Sequence, residues 1–125
     1  MNKLVVANLK MNLTYQEALD YKNVLSECIT DNVVICPSFL HLDVMRSNDY
    51  LLGAQNGFYI DKGAYTGEVS FLQLKDMGVK YSIIGHSERR KLYEEDDEIV
   101  SKKLKACIDN NIIPIVCIGE TIRKE

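Results

Sequence analysis

Five short apolar runs set the architecture open to this chain: residues 4–7, 33–36, 51–54, 81–84 and 112–118. Each is continuous rather than alternating. A strand reads that way when both of its faces are covered, as in a parallel sheet flanked by helices. The segments between the runs carry helix signals. Thr14 with Glu17 forms a capping-box pattern, opening a helix with Ala18, Tyr21, Leu25 and Cys28 on its apolar face. Residues 39–45, after Pro37-Ser38, suit a shorter helix. Ser70 with Gln73 repeats the capping pattern, and Gly78 offers a C-terminal stop. Asp96 and Asp97 favour the start of a last helix with Val100, Leu104, Cys107 and Ile108 as its apolar face. Strands alternating with helices predict an α/β chain with a mostly parallel sheet. At 125 residues and 46% hydrophobic content there is one core's worth of apolar side chains, so the chain is one domain, or part of one.

A formal net charge of −3 argues against nucleic-acid or anionic-membrane binding driven by bulk charge. It leaves room for a small anionic substrate, which needs only one or two well-placed cations. The apolar start is broken by Asn8 and Lys10, too soon for a signal peptide, and no stretch reaches membrane-span length. Cys28, Cys36, Cys107 and Cys117 form no C-x-x-C pair, so neither a zinc site nor a thioredoxin-type motif is indicated. Their apolar surroundings predict reduced thiols. A soluble, cytoplasmic protein is the expectation.

Polar residues gather where the strands should end. The first strand runs into Asn8 and Lys10, the third into Gln55-Asn56, the fourth into His86-Ser87-Glu88, and the fifth into Glu120. In α/β folds the carboxyl ends of the strands form the functional face, which predicts Lys10, His86 and Glu88 as neighbours. The stretch 56–69 is a long connection without helical pattern, of the kind that is often functional or interfacial.

Gly85 permits a sharp turn after the fourth strand, and Ser87-Glu88 reads as the first turn of a short helix. The positive end of a helix disfavours imidazolium, so His86 is expected to stay neutral and able to donate to a polarised carbonyl. The competing reading is a strand-end histidine satisfied by backbone. Lys10 is either a point charge aimed at a phosphate or oxyanion, or a solvated surface lysine. Glu88 is either a hydrogen-bonding acid of the site or a complement to the helix dipole. His41, without charged companions, reads as structural. There is no G-x-G-x-x-G after the first strand, no Walker-type loop, no G-x-S-x-G elbow, and no zinc or calcium spacing. Chemistry without metal or organic cofactor is what remains, if there is chemistry.

Ala7-Asn8-Leu9-Lys10-Met11-Asn12, Gly53-Ala54-Gln55-Asn56, Gly63-Ala64-Tyr65-Thr66-Gly67-Glu68-Val69-Ser70, Ile84-Gly85-His86-Ser87-Glu88-Arg89-Arg90 and Val116-Cys117-Ile118-Gly119-Glu120 occur in this order. Together they resemble the amino-terminal half of the triosephosphate isomerases, across nearly the whole chain. That resemblance implies a parallel eight-stranded βα barrel, with residues 1–125 as the amino-terminal portion of one barrel domain carrying strands 1 to 5. It implies interconversion of dihydroxyacetone phosphate and D-glyceraldehyde 3-phosphate through an enediolate, in glycolysis and gluconeogenesis. Asn8 and Lys10 would bind substrate, His86 would polarise the carbonyl, and Glu88 would support them. Met11, Tyr65, Thr66, Glu68 and Arg89 would lie at a homodimer interface, with Glu68 and Arg89 as an intersubunit pair. Cys117 matches the family's cysteine of the fifth strand. The neutral histidine of this family is a standard illustration of pKa tuning.

Two departures stand out. Leu9 takes the place of the family's usual tryptophan, a change of packing rather than of chemistry. A full barrel needs about 250 residues, and the family's catalytic glutamate, lid loop and phosphate-gripping backbone belong to its second half. The 125 residues alone are therefore expected to be inactive and not to persist as a monomer. The alternatives are a stand-alone, non-catalytic half-barrel with a phosphate-ligand or dimer surface, and a flavodoxin-like five-stranded domain.

Overall fold

The computed structural model describes residues 3–28 and 31–118. Five strands, β1 (Val5–Asn8), β2 (Val33–Cys36), β3 (Leu51–Ala54), β4 (Tyr81–Ile84) and β5 (Ile113–Val116), alternate with helices α1 (Tyr15–Leu25), α2 (Phe71–Asp76), α3 (Ser87–Leu92) and α4 (Asp97–Asp109). The sheet is wholly parallel, and each strand lies beside its sequence neighbour in the order β1-β2-β3-β4-β5. A flavodoxin-like sheet would place β2 outside β1. Progressive winding in one direction is the geometry of a curling half-barrel, with every strand's carboxyl end at the same rim.

The continuous apolar runs have the expected cause. On β2, Ile35 faces outward into the main core with Leu52, Ala54, Ile84, Ala18, Phe71, Leu74, Val100 and Cys107. Its neighbours Val34 and Cys36 face the other way and join Ile83, Tyr81, Ile115 and Cys117 on the inner side. Both faces bury apolar side chains, so no alternation is visible.

Both capping boxes form. Thr14 Oγ1 accepts from the Glu17 N–H while the Glu17 carboxylate accepts from the Thr14 N–H, and Ser70 and Gln73 do the same. Gly78 follows α2 at φ +90°, the left-handed stop that a glycine adopts without steric cost. Four expectations need correction. Helix α1 ends at Leu25, where Ser26 caps it, and Cys28 lies beyond it, exposed. Residues 39–45 form only the 3-10 turn Phe39–His41, because Ser38 makes no capping bond to the backbone. On α4, Ile108 is exposed and Lys103 is buried, so the covered stripe is Val100, Lys103, Leu104 and Cys107. The fifth run pairs as a strand only over Ile113–Val116, and Ile118 is exposed. Glu120 lies outside the described residues. Among the described residues, no helix is long and apolar enough to cross a membrane.

Candidate functional site

The rim at the carboxyl ends of the strands encloses a cleft of about 490 Å³, lined by Asn8, Lys10, Gln55, Asn56, His86, Glu88 and Arg89 among others. Lys10 and His86 come from loops 76 residues apart, brought together by parallel strand order alone.

Lys10 occupies an unusual backbone state, φ +55°. For a residue with a side chain this conformation costs about 1–3 kcal/mol and persists only where neighbours enforce it. Three contacts do so. Its N–H donates to Asn8 Oδ1 at 3.1 Å, its carbonyl accepts from Gln55 Nε2 at 3.0 Å, and the preceding Leu9 N–H is tied to the Cys36 carbonyl at the end of β2. The ammonium then reaches Glu88 Oε2 at 3.0 Å. Glu94 and Asn111 also have positive φ, but each lies two residues past a helix end, whereas Lys10 lies at the polar rim.

Gly85, at φ +72°, makes the turn out of β4, and a Cβ there would press on Val100 at 3.3 Å. The chain then enters α3 with His86 as its N-cap. His86 Nδ1 accepts from the Glu88 N–H at 3.1 Å. An acceptor nitrogen carries no proton, so this bond assigns the neutral ring's proton to Nε2. The imidazole is thus a fixed donor rather than a free rotor.

The Glu88 carboxyl is held below its ordinary 4.5, chiefly by the hydrogen bond from Lys10, with partial burial opposing and the charge of Lys10 adding. A lowered folded value means that the Lys10–Glu88 contact is intact above about 4.5 and is lost as pH falls through the folded value. Carbon-13 titration of the Glu88 carboxyl should therefore show a midpoint below 4.5, with Lys10 shifting in step. A midpoint at or above 4.5 would show that Lys10 does not engage Glu88 in solution.

Behind the cleft lies a cluster that sequence reasoning missed. Lys103 Nζ donates to Glu95 Oε2 at 2.6 Å and to Asn56 Oδ1 at 2.9 Å. Arg89 Nε donates to the same Glu95 oxygen at 2.9 Å and its guanidinium stacks on Tyr93. Burial pushes the Glu95 carboxyl up, but the bonds from Lys103 and Arg89 prevail and hold it below its ordinary range. Burial also draws Lys103 down, and Glu95 offsets only part of that. A lysine at the i+3 position of the Val100–Cys107 stripe was the available signal for this cluster.

The other candidates are placed plainly. Met11 stands almost fully exposed at the rim, and Tyr65, Thr66 and Glu68 lie on the exposed arm between β3 and α2, where Tyr65 packs on Phe58. Within one chain Arg89 is engaged by Glu95. Cys117 is half-buried, and burial raises its thiol. His41 is buried, as a structural residue should be. No group of three metal-ligating side chains occurs among the described residues.

The triosephosphate isomerase family model matches residues 3–125. The chain belongs to that family. The triosephosphate isomerase of Clostridium botulinum (strain Loch Maree / Type A3) is 41% identical over 97% of this chain and 52% of its own length. That of Thermoanaerobacter pseudethanolicus is 43% identical over 95% and 51%. The crystal structure of triosephosphate isomerase from Bartonella henselae superposes with a TM-score of 0.89 at 34% identity, over 97% of this chain and 53% of that one. The chain thus spans about half the length of the relatives it matches, and its curl is a partial TIM barrel.

Proposed function

We propose that this chain carries the electrophilic half of a triosephosphate isomerase site. The observation that supports it most is the His86 ring, locked by the Glu88 N–H so that its Nε2–H is the donor, in one cleft with the Lys10 ammonium. A ketose or aldose phosphate needs these two groups. Lys10 draws in the dianion and opposes charge developing on oxygen, while the neutral imidazole donates to the carbonyl and returns a proton between the two enediolate oxygens. Asn8 holds substrate beside Lys10, and Glu88 keeps the ammonium aimed until an anion competes for it. The base that moves the carbon-bound proton between C1 and C2 is assigned to the family's second half. The reaction places the protein in glycolysis and gluconeogenesis, in the cytoplasm, with no metal, organic cofactor, nucleic acid or membrane.

The same reading makes the protein a homodimer. Met11 at the rim and Tyr65, Thr66 and Glu68 on the arm would meet a second copy, with Arg89 facing the partner's arm.

A coupled assay with glycerol-3-phosphate dehydrogenase on the full-length polypeptide tests the activity. Turnover is expected, and His86→Gln should lower kcat about a hundredfold while leaving KM nearly unchanged. Binding of triose phosphate without turnover would favour the non-catalytic half-barrel instead.

A further inference from the structure

We propose that Gln55 is a positioning residue, acting through Lys10: it locks Lys10 into its left-handed backbone conformation and thereby aims the ammonium into the cleft. This inference rests on the isomerase reading for its kinetic consequence, but not for its geometry. Gln55 follows directly on β3, at the rim. Its Nε2 lies 3.0 Å from the Lys10 carbonyl and 3.0 Å from the Cys36 carbonyl. Both partners are acceptors, so only the amide nitrogen can face them, and its two protons serve one carbonyl each. One side chain therefore pins the strained loop after β1 to the end of β2, from a third strand.

The geometry matters because of what Lys10 would otherwise do. An L-residue at φ +55° relaxes to negative φ when released. That change swings the Cα–Cβ bond, and with it the direction of the ammonium. Asn8 Oδ1 restrains the N–H side of Lys10, and among the described residues Gln55 is the one that restrains its carbonyl. The other end of the lysine reports the outcome, because its 3.0 Å bond to Glu88 depends on where the ammonium points.

Glu88 is thus a built-in sensor of the proposal. Gln55→Met keeps the length of the side chain and removes both donors. In the full-length polypeptide, this variant should return the Glu88 carboxyl midpoint to about 4.5, its ordinary value, and raise KM about fivefold to tenfold with a smaller change in kcat. A residue that only stabilised the fold would lower the unfolding midpoint and leave the Glu88 titration where it was. Such an unchanged titration in a folded Gln55→Met overturns the proposal, even if isomerase turnover is present. Absence of turnover in the unmodified protein overturns the isomerase reading and leaves the titration to decide Gln55. The unmodified protein supplies a second measurement should the variant not fold. Scalar couplings across the hydrogen bonds from the Gln55 amide to the Lys10 and Cys36 carbonyl carbons are expected, and their absence refutes the lock.

Discussion

Replacing Glu95 by alanine is expected to cost about 3–5 kcal/mol of folding stability, because it strands the Lys103 ammonium in the interior. The two side chains are only 3% and 5% exposed. After the substitution Lys103 keeps the Asn56 amide oxygen, a neutral acceptor that cannot replace a carboxylate. Against a typical total of about 5–15 kcal/mol, that loss is a large share. The intact pair is worth less than its rupture costs. Glu95 Oε1 is buried with no hydrogen-bond partner among the described residues, and such a deficit weighs against the gain from Oε2. The double variant Glu95→Leu with Lys103→Met should therefore recover most of the loss. Burial already holds Lys103 below its ordinary 10.5, and loss of Glu95 lowers it further. The unfolded chain then binds the proton to higher pH than the folded one, so the stability of Glu95→Ala rises with pH across that alkaline interval. Urea unfolding of the full-length polypeptide at several pH values measures both effects. A loss under 1 kcal/mol would show that Lys103 finds solvent or another partner.

That cluster also marks where reading the sequence stops working. Features written within one turn were legible: Thr14 with Glu17, Ser70 with Gln73, and the Gly85 turn into the short helix opened by Ser87-Glu88 all involve residues no more than three apart. Lys10 and Glu88 stand 78 positions apart, yet their nearness was foreseen, though not their bond, because strand-end residues of a parallel sheet share one rim whatever their separation. Lys103 was not foreseen. A periodicity that sorts residues into apolar and polar assigns every lysine to solvent, and its partners Glu95 and Asn56 come from a loop and from another strand's end. Gln55 was visible as a strand-end polar residue, but nothing local says that its amide would reach two carbonyls on two other elements. Strain at Lys10 was equally hidden, since positive φ at a lysine follows from tertiary restraint rather than propensity.

The polypeptide of residues 1–125 is expected to associate rather than persist as a monomer, and the two edges of its sheet should contribute unequally. At one edge Leu4 and Val5 are 45% and 54% exposed, and at the other Ile113 and Val116 are 54% and 42% exposed. Covering such side chains is worth about 1.5–3 kcal/mol each when complete, so the drive to bury them is comparable to a small domain's total stability. Backbone polarity separates the edges. On β1 the Val5 N–H is spent on the Asn32 carbonyl and the Leu9 N–H on the Cys36 carbonyl. By the regular alternation of a parallel ladder, Val6 and Asn8 then turn their N–H groups outward. On β5 the Ile113 and Cys117 N–H groups point inward to Lys80 and Ile84, leaving positions 114 and 116 to face out. Position 114 is proline and has no N–H to offer, a device that blunts exposed edges. Pairing should therefore start at β1, and Val6→Pro, which removes an outward donor there, should shift the association midpoint by about tenfold, whereas Pro114→Val should strengthen association. Sedimentation velocity across a concentration series measures each. A compact monomer at tens of micromolar, with an unfolding transition independent of concentration, would refute the argument, and so would a Val6→Pro variant that associates as readily as its parent.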